Sequence, residues 1–200
     1  ECLPINYLAF PWATLIDKYE RGKGIELFNI IGNLVCKKDC FTICQHIHFR
    51  KLLPIFKNIG ITHLFASHTC KYDHAYEELY GMKIIPFHLY PFNSIENYNL
   101  KNKDFKYIYS FNGAFNPKYY LKGRSYLKNI NNDKYYINIK KEWTFQKQVY
   151  VDQIQNNNFV STNDEKLDTD YINLLESSQF TLCPSGTGPN SIRLWEALSV

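Results

Sequence analysis

The stretch from Phe180 to Val200, FTLCPSGTGPNSIRLWEALSV, constrains the fold more than any other part of this 200-residue chain. Phe180 to Cys183 is an apolar run of strand type, Pro184 to Asn190 is dense in turn residues, and Ser191 onward has helical spacing. Ile192, Trp195 and Leu198 recur three apart and form one expected apolar face; Arg193, Glu196 and Val200 fall on another, so Arg193 and Glu196 are expected side by side. Gly186 and Gly188 let the backbone approach a ligand, because neither carries a Cβ. The helix start offers unpaired N–H groups and the positive end of a dipole. A phosphate site is the expectation. Arg193 suits a diphosphate, and Glu196 suits ribose hydroxyls. The spacing fits neither the dinucleotide fingerprint nor the P-loop, since Ser191 stands three after Gly188 and no Lys follows.

The rest of the chain reads as βα units. A helix is expected over Trp12 to Arg21, a turn at Gly22 to Gly24, and a helix or strand over Ile25 to Leu34. The clearest unit is a strand at Phe41 to Gln45, a helix at Phe49 to Asn58 stopped by Gly60, and a strand at Thr62 to Ala66. Pro54 lies near the first turn, where a missing N–H is tolerated. Parallel strands follow from this unit. A further strand over Lys83 to Tyr90 contains Pro86 and is short or at an edge. Asn93 to Lys103 is polar, has no periodicity, and is the expected linker between domains at 1–97 and 104–200. Beyond it, a strand is expected at Phe105 to Phe111, a turn at Asn112 to Ala114, a helix at Tyr119 to Leu127 and a strand at Tyr135 to Ile139. A weak helix follows at Val149 to Asn158, then a helix at Thr169 to Ser177 whose start carries Asp168 and Asp170.

Composition excludes several classes. The net charge is +4, and Lys and Arg are dispersed, so no nucleic-acid patch is indicated. No run of apolar residues is long enough to cross a membrane as a helix, and no signal-peptide pattern opens the chain. The chain starts with Glu1 and stops within an expected helix, so a fragment of a longer protein is expected. Cys36, Cys40 and Cys44 stand four apart, followed by His46 and His48, but the second ligand pair of a zinc site is missing, and no metal site is assigned.

The run from Ser178 to Leu198 resembles the C-terminal signature of the exostosin-type glycosyltransferases, glycosyltransferase family 47. The matching residues are Cys183, Pro184, Gly186, Ser191, Arg193, Glu196, Ala197 and Leu198. The family usually has Arg between the Pro and the Gly, where this chain has Ser185. Upstream, Gly113 and Arg124 match the strand, Gly turn and Arg-bearing helix that open the family's C-terminal domain. The resemblance implies an α/β fold of GT-B type, with two Rossmann-like βαβ domains facing a cleft and the C-terminal one incomplete here. It implies a hexosyl- or pentosyltransferase using a nucleotide-sugar donor, UDP-sugar before GDP-sugar, without an obligatory metal or other cofactor. The acceptor would be a hydroxyl of a glycan or glycoprotein. Donor-binding residues on this reading are Gly113, Arg124, Ser185, Gly186, Gly188, Ser191, Arg193 and Glu196. The reaction needs a base for the acceptor hydroxyl. His46 and His68 directly follow expected parallel strands, and Asp73 shares the loop of His68; these three are the candidates, and the residues alone do not choose between them. A cytoplasmic protein of bacterial or viral origin is expected, or a Golgi-lumenal one if an N-terminal anchor precedes it. A catalytically silent carbohydrate- or nucleotide-binding homologue is the alternative.

Overall fold

The computed structural model describes residues 6–19, 25–34, 36, 39–94, 104–118, 122–130, 132–143 and 168–200. The turn at Gly22 to Gly24, most of the expected linker, the first residues of the Tyr119 to Leu127 helix and the weak helix at Val149 to Asn158 lie outside these. Contacts divide the chain into two compact units, Glu1–His88 and Leu89–Val200.

Unit 1 holds four parallel strands in sequential order: β1 (Asn6–Tyr7), β2 (Cys40–Cys44), β3 (His63–Ala66) and β4 (Lys83–Pro86). Helices α1 (Trp12–Tyr19) and α2 (Ile25–Gly32) connect β1 to β2. Helix α3 (Leu53–Ile59) connects β2 to β3, and α4 (His74–Tyr80) connects β3 to β4. Strand alternation decides which side chains meet the helices. Cys40 and Cys44 of β2, Leu64 and Ala66 of β3 and Ile84 of β4 join Trp12, Leu15, Leu53 and Phe56 in one buried cluster. Thr42 lies in the same layer, and its hydroxyl is fully used: it accepts from Trp12 Nε1 at 2.6 Å and donates to the Leu8 carbonyl at 2.7 Å. That satisfaction makes a buried hydroxyl tolerable. On the alternate strand positions the rings of Tyr7, Phe41, Phe65 and Phe87 follow one another at centroid spacings of 4.9, 5.6 and 5.8 Å.

The expected helix from Phe49 is split. A 3-10 turn over Phe49–Leu52 leads into α3, with Pro54 in its first turn and Gly60 at its end in the left-handed region, φ 87°. A Cβ at Gly60 would also sit 2.9 Å from the Cys36 carbonyl oxygen. The ambiguous segment at Ile25 is a helix, and the expected strand from Lys83 stops at Pro86. Helix α4 escaped the sequence reading. It contributes no fully buried residue, and Tyr80 packs only partly against the core.

Unit 2 holds three parallel strands in the order β6 (Tyr135–Lys140), β5 (Tyr107–Ala114), β7 (Ser178–Thr181), with helices α5 (Thr169–Glu176) and α6 (Ile192–Leu198). The expected turn at Asn112 to Ala114 is instead strand: Gly113 pairs with Ile139 of β6. Lys122–Asn129 is a 3-10 helix where an α-helix was expected. Asp168 caps α5 as its sequence position suggested, its carboxylate accepting from the Tyr171 N–H at 3.0 Å. The division of the chain falls before Asn93, not after it. Asn93 is buried and built into unit 2, donating to Glu196 and accepting from the Asp168 N–H at 3.0 Å.

Candidate functional site

Helix α6 does not bury its apolar spacing as a face: Ile192 and Trp195 are only half-buried. Leu198 is 71% exposed and Leu194 is exposed, whereas Arg193 and Glu196 are the buried residues of the helix, at 8% and 5%. Two charged side chains have been taken out of water, which costs several kcal/mol per ion unless partners replace the solvent.

Glu196 has its partners. Oε1 accepts from Asn93 Nδ2 at 2.9 Å and from the Asn93 N–H at 3.3 Å. The phenol of Tyr171 also bonds to it, and burial, with Glu196 adding to it, pushes the Tyr171 hydroxyl up from its ordinary value. The carboxylate thus ties α6 to α5 and to the Leu89–Asn93 segment.

Arg193 lacks a full set. Nη2 donates to the Asn112 carbonyl at 2.7 Å, and the guanidinium lies 4.5 Å from the Phe111 ring centroid. Nε and Nη1 are buried with no hydrogen-bond partner among the described residues. Arginine cannot discharge itself by losing a proton. Glu196 is near enough that both charges act on Tyr171 and Cys183, but its hydrogen bonds go to Asn93 and Tyr171. The N–H donors of Nε and Nη1 therefore stay unmet, at a cost above the roughly 1–3 kcal/mol of an unmet neutral group. An anion is the ligand that would remove it.

The surroundings are shaped to hold this side chain. Gly113 faces it so closely that a Cβ there would collide with Nη2 and stand 3.1 Å from Cζ. Arg124 also lies near this ring, 5.7 Å from the Phe111 centroid, and its donors go to the carbonyls of Ala114 at 2.6 Å, Ser185 at 3.1 Å and Pro184 at 3.5 Å. It straps the end of β5 to the loop after β7. The Ser185 hydroxyl closes that loop on the Pro189 carbonyl at 3.2 Å. Gly186 and Gly188 are both buried in it, and Ser191 precedes α6 without capping it through its side chain. Of the expected donor-binding residues, Gly113 and Arg193 meet directly, and Arg124 and Ser185 hold the loop between β7 and α6. Glu196 belongs to a network inside the unit. The separate contribution of Phe111, a ring flanked by two guanidiniums, was not anticipated. Its only trace is its place two residues before Gly113 on one strand face.

In unit 1, His46 and His68 lie just beyond the carboxyl ends of β2 and β3. His46 Nδ1 accepts from the His48 N–H at 3.1 Å, and Nε2 faces Asp17 Oδ1 at 3.3 Å. Accepting at Nδ1 places the proton on Nε2, so both nitrogens are engaged. Asp73 is held by Arg50 through two bonds of 2.7 Å and by the Cys70 N–H at 2.8 Å. Each acceptor atom of these two groups already has a partner. His68 differs: it is 6% exposed and its Nδ1 has no partner among the described residues. Burial first, then the neighbouring His46 and Arg50, push its pKa down to about 4. At the other end of β3 and β4 an open concavity of about 460 Å³ is lined by Thr62, His63 and Glu77 among others. Glu77 accepts from the Ile84 N–H there, at 2.7 Å.

Among the described residues no group of three or more His, Cys, Asp or Glu side chains is arranged to hold a metal ion. Cys40 and Cys44 are buried, and β2 ends before His46, so the cysteines and histidines do not share one strand face. No helix among the described residues is long and apolar enough to cross a membrane.

Two all-parallel sheets with helical connections define a mixed α/β protein, compatible with Rossmann-like units. The chain matches no protein-family model, no curated protein and no solved structure.

Proposed function

We propose that the chain is an exostosin-like glycosyltransferase that moves a sugar from a nucleoside-diphosphate donor to a hydroxyl of a glycan, with Arg193 holding the donor's diphosphate. The observation that carries this reading is the buried guanidinium of Arg193 with Nε and Nη1 unpartnered. Its place in the Ser191-x-Arg193-x-x-Glu196 run that resembles the family's signature adds the nucleotide sugar to the anion. In this reading the two units are the acceptor-side and donor-side halves of a GT-B enzyme, and UDP is the preferred nucleotide. The acceptor oxygen forms a bond to the anomeric carbon as the bond from that carbon to the diphosphate breaks. The electron pair leaves with the diphosphate, where Arg193 meets the growing charge, and the acceptor's proton passes to a base.

Calorimetric titration of UDP into the wild type and into Arg193→Ala tests it. A charge-assisted hydrogen bond contributes about 1.5–3 kcal/mol, so affinity falls roughly ten- to a hundredfold. Equal affinity in a folded variant removes Arg193 from the site, and absence of UDP and GDP binding in the wild type ends the reading. A catalytically silent nucleotide-binding homologue is the second reading. It is favoured by the engagement of Arg124, Ser185 and Glu196 in contacts within the unit. UDP binding without transfer or donor hydrolysis would select it.

A further inference from the structure

Strands β2, β3 and β4 end in register, Cys44 opposite Ala66 and Ala66 opposite Pro86. Each is followed two residues later by a histidine: His46, His68 and His88. The loops that carry them are tied to one another. The His88 carbonyl accepts from Gln45 Nε2 at 3.0 Å and from the Ser67 hydroxyl at 3.1 Å. Arg50, from the 3-10 turn after β2, reaches the loop after β3, where it grips Asp73 and donates to the His68 carbonyl at 3.1 Å. Carboxyl ends of parallel strands are where α/β proteins bind ligands, and a rim cross-linked in this way is set before any ligand arrives.

Within the rim one group is left over. His46 and Asp73 are engaged at their acceptor atoms, whereas His68 Nδ1 is buried and unpartnered. The Arg50 guanidinium is matched by the Asp73 carboxylate, and His46, which accepts at Nδ1, stands as a neutral ring beside Asp17. No surplus positive charge remains to hold an anion. A neutral imidazole nitrogen in such a place is completed by a neutral hydrogen-bonding group, and a hydroxyl serves either tautomer of the ring because it both donates and accepts. We propose that unit 1 binds a hydroxyl-bearing ligand of carbohydrate type at the carboxyl ends of β2 and β3, with one ligand hydroxyl hydrogen-bonded to Nδ1 of His68. The hydroxyl contact rests on unit 1 alone; the carbohydrate rests on the glycosyltransferase reading, in which this ligand is the acceptor.

The full chain, labelled with 15N, is titrated with methyl glycosides of glucose, galactose and xylose and, separately, with inorganic phosphate, while the histidine ring nitrogens are followed by long-range 1H–15N spectra. A glycoside is expected to move Nδ1 of His68 and to leave His63 and His74 in place, since both of those bond within the fold. His68→Asn sets an amide oxygen near the position of Nδ1 and keeps binding to within about tenfold, whereas His68→Gln sets it nearer Nε2 and loses more. His68→Phe abolishes binding. A response to phosphate but to no glycoside, or to neither, overturns the proposal. So does equal weakening in the Asn and Gln variants, which stays readable if the Phe variant fails to fold. UDP affinity is measured on the same samples. Its absence with glycoside binding intact sinks the glycosyltransferase reading alone, and the reverse result sinks this proposal alone.

Discussion

The guanidinium of Arg193 occupies the space that a Cβ at position 113 would fill: Nη2 collides with it, and Cζ stands 3.1 Å away. Gly113 is in extended strand, paired with Ile139, so its lack of a side chain serves this approach rather than an unusual backbone. Gly113→Ala is therefore expected to push the guanidinium off the Phe111 ring and off the Asn112 carbonyl. UDP affinity falls about tenfold or more, a loss of roughly 1.4 kcal/mol or above. Calorimetric titration checks this, and an alanine variant that binds UDP as the wild type does would show that the guanidinium has another place to go.

Arg193→Met separates stability from function. The methionine replaces a buried, incompletely bonded cation by an apolar side chain of similar length, a change that is neutral or stabilising by about 1–4 kcal/mol in comparable sites. The thermal midpoint of the ligand-free variant is expected to equal or exceed that of the wild type, while the stabilisation given by UDP disappears. A lower midpoint would mean that Arg193 is satisfied without a ligand.

Glu196→Gln is expected to act on stability first. The carboxylate bonds Asn93 twice and Tyr171 once, and an amide leaves at least one of these donors facing a poorer acceptor. The expected loss is about 1–3 kcal/mol, seen as a lower urea midpoint, with UDP affinity nearly unchanged. Wild-type stability combined with weakened UDP binding would return Glu196 to the ribose role that its spacing from Arg193 suggests.

His68 sets a pH dependence. Its folded pKa, about 4, lies below the ordinary 6.5, so between these values the unfolded chain holds a proton that the folded chain refuses. Stability is then greatest above about pH 6.5 and falls as the pH drops toward 4. After allowance for solvent screening the contribution is on the order of 1–2 kcal/mol. Urea unfolding from pH 4.5 to 7.5 is expected to show this slope in the wild type and a flatter one in His68→Gln. Parallel slopes would assign the acid sensitivity elsewhere.

Much of the fold was legible along the chain because its signals are local. The strand at Cys40–Cys44, the Gly60 stop after α3, the Asp168 cap of α5 and the parallel βα order all follow from neighbouring residues and their periods. The composition of the rim after β2 and β3 was legible too, since loops that follow parallel strands converge wherever those strands pair. The orientation of α6 was not. Spacing marked Ile192, Trp195 and Leu198 as one apolar face, yet Phe111, Asn112 and Gly113 of β5 surround Arg193, and Asn93 and Tyr171 surround Glu196. Those partners lie from 25 to 103 residues away in sequence. Burying two charges is decided by what waits at the destination, and periodicity carries no record of that. Likewise, the residue types at His46, His68 and Asp73 made all three eligible as bases. Only the tertiary contacts of Asp17, His48, Arg50 and Cys70 engaged two of them and left Nδ1 of His68 without a partner.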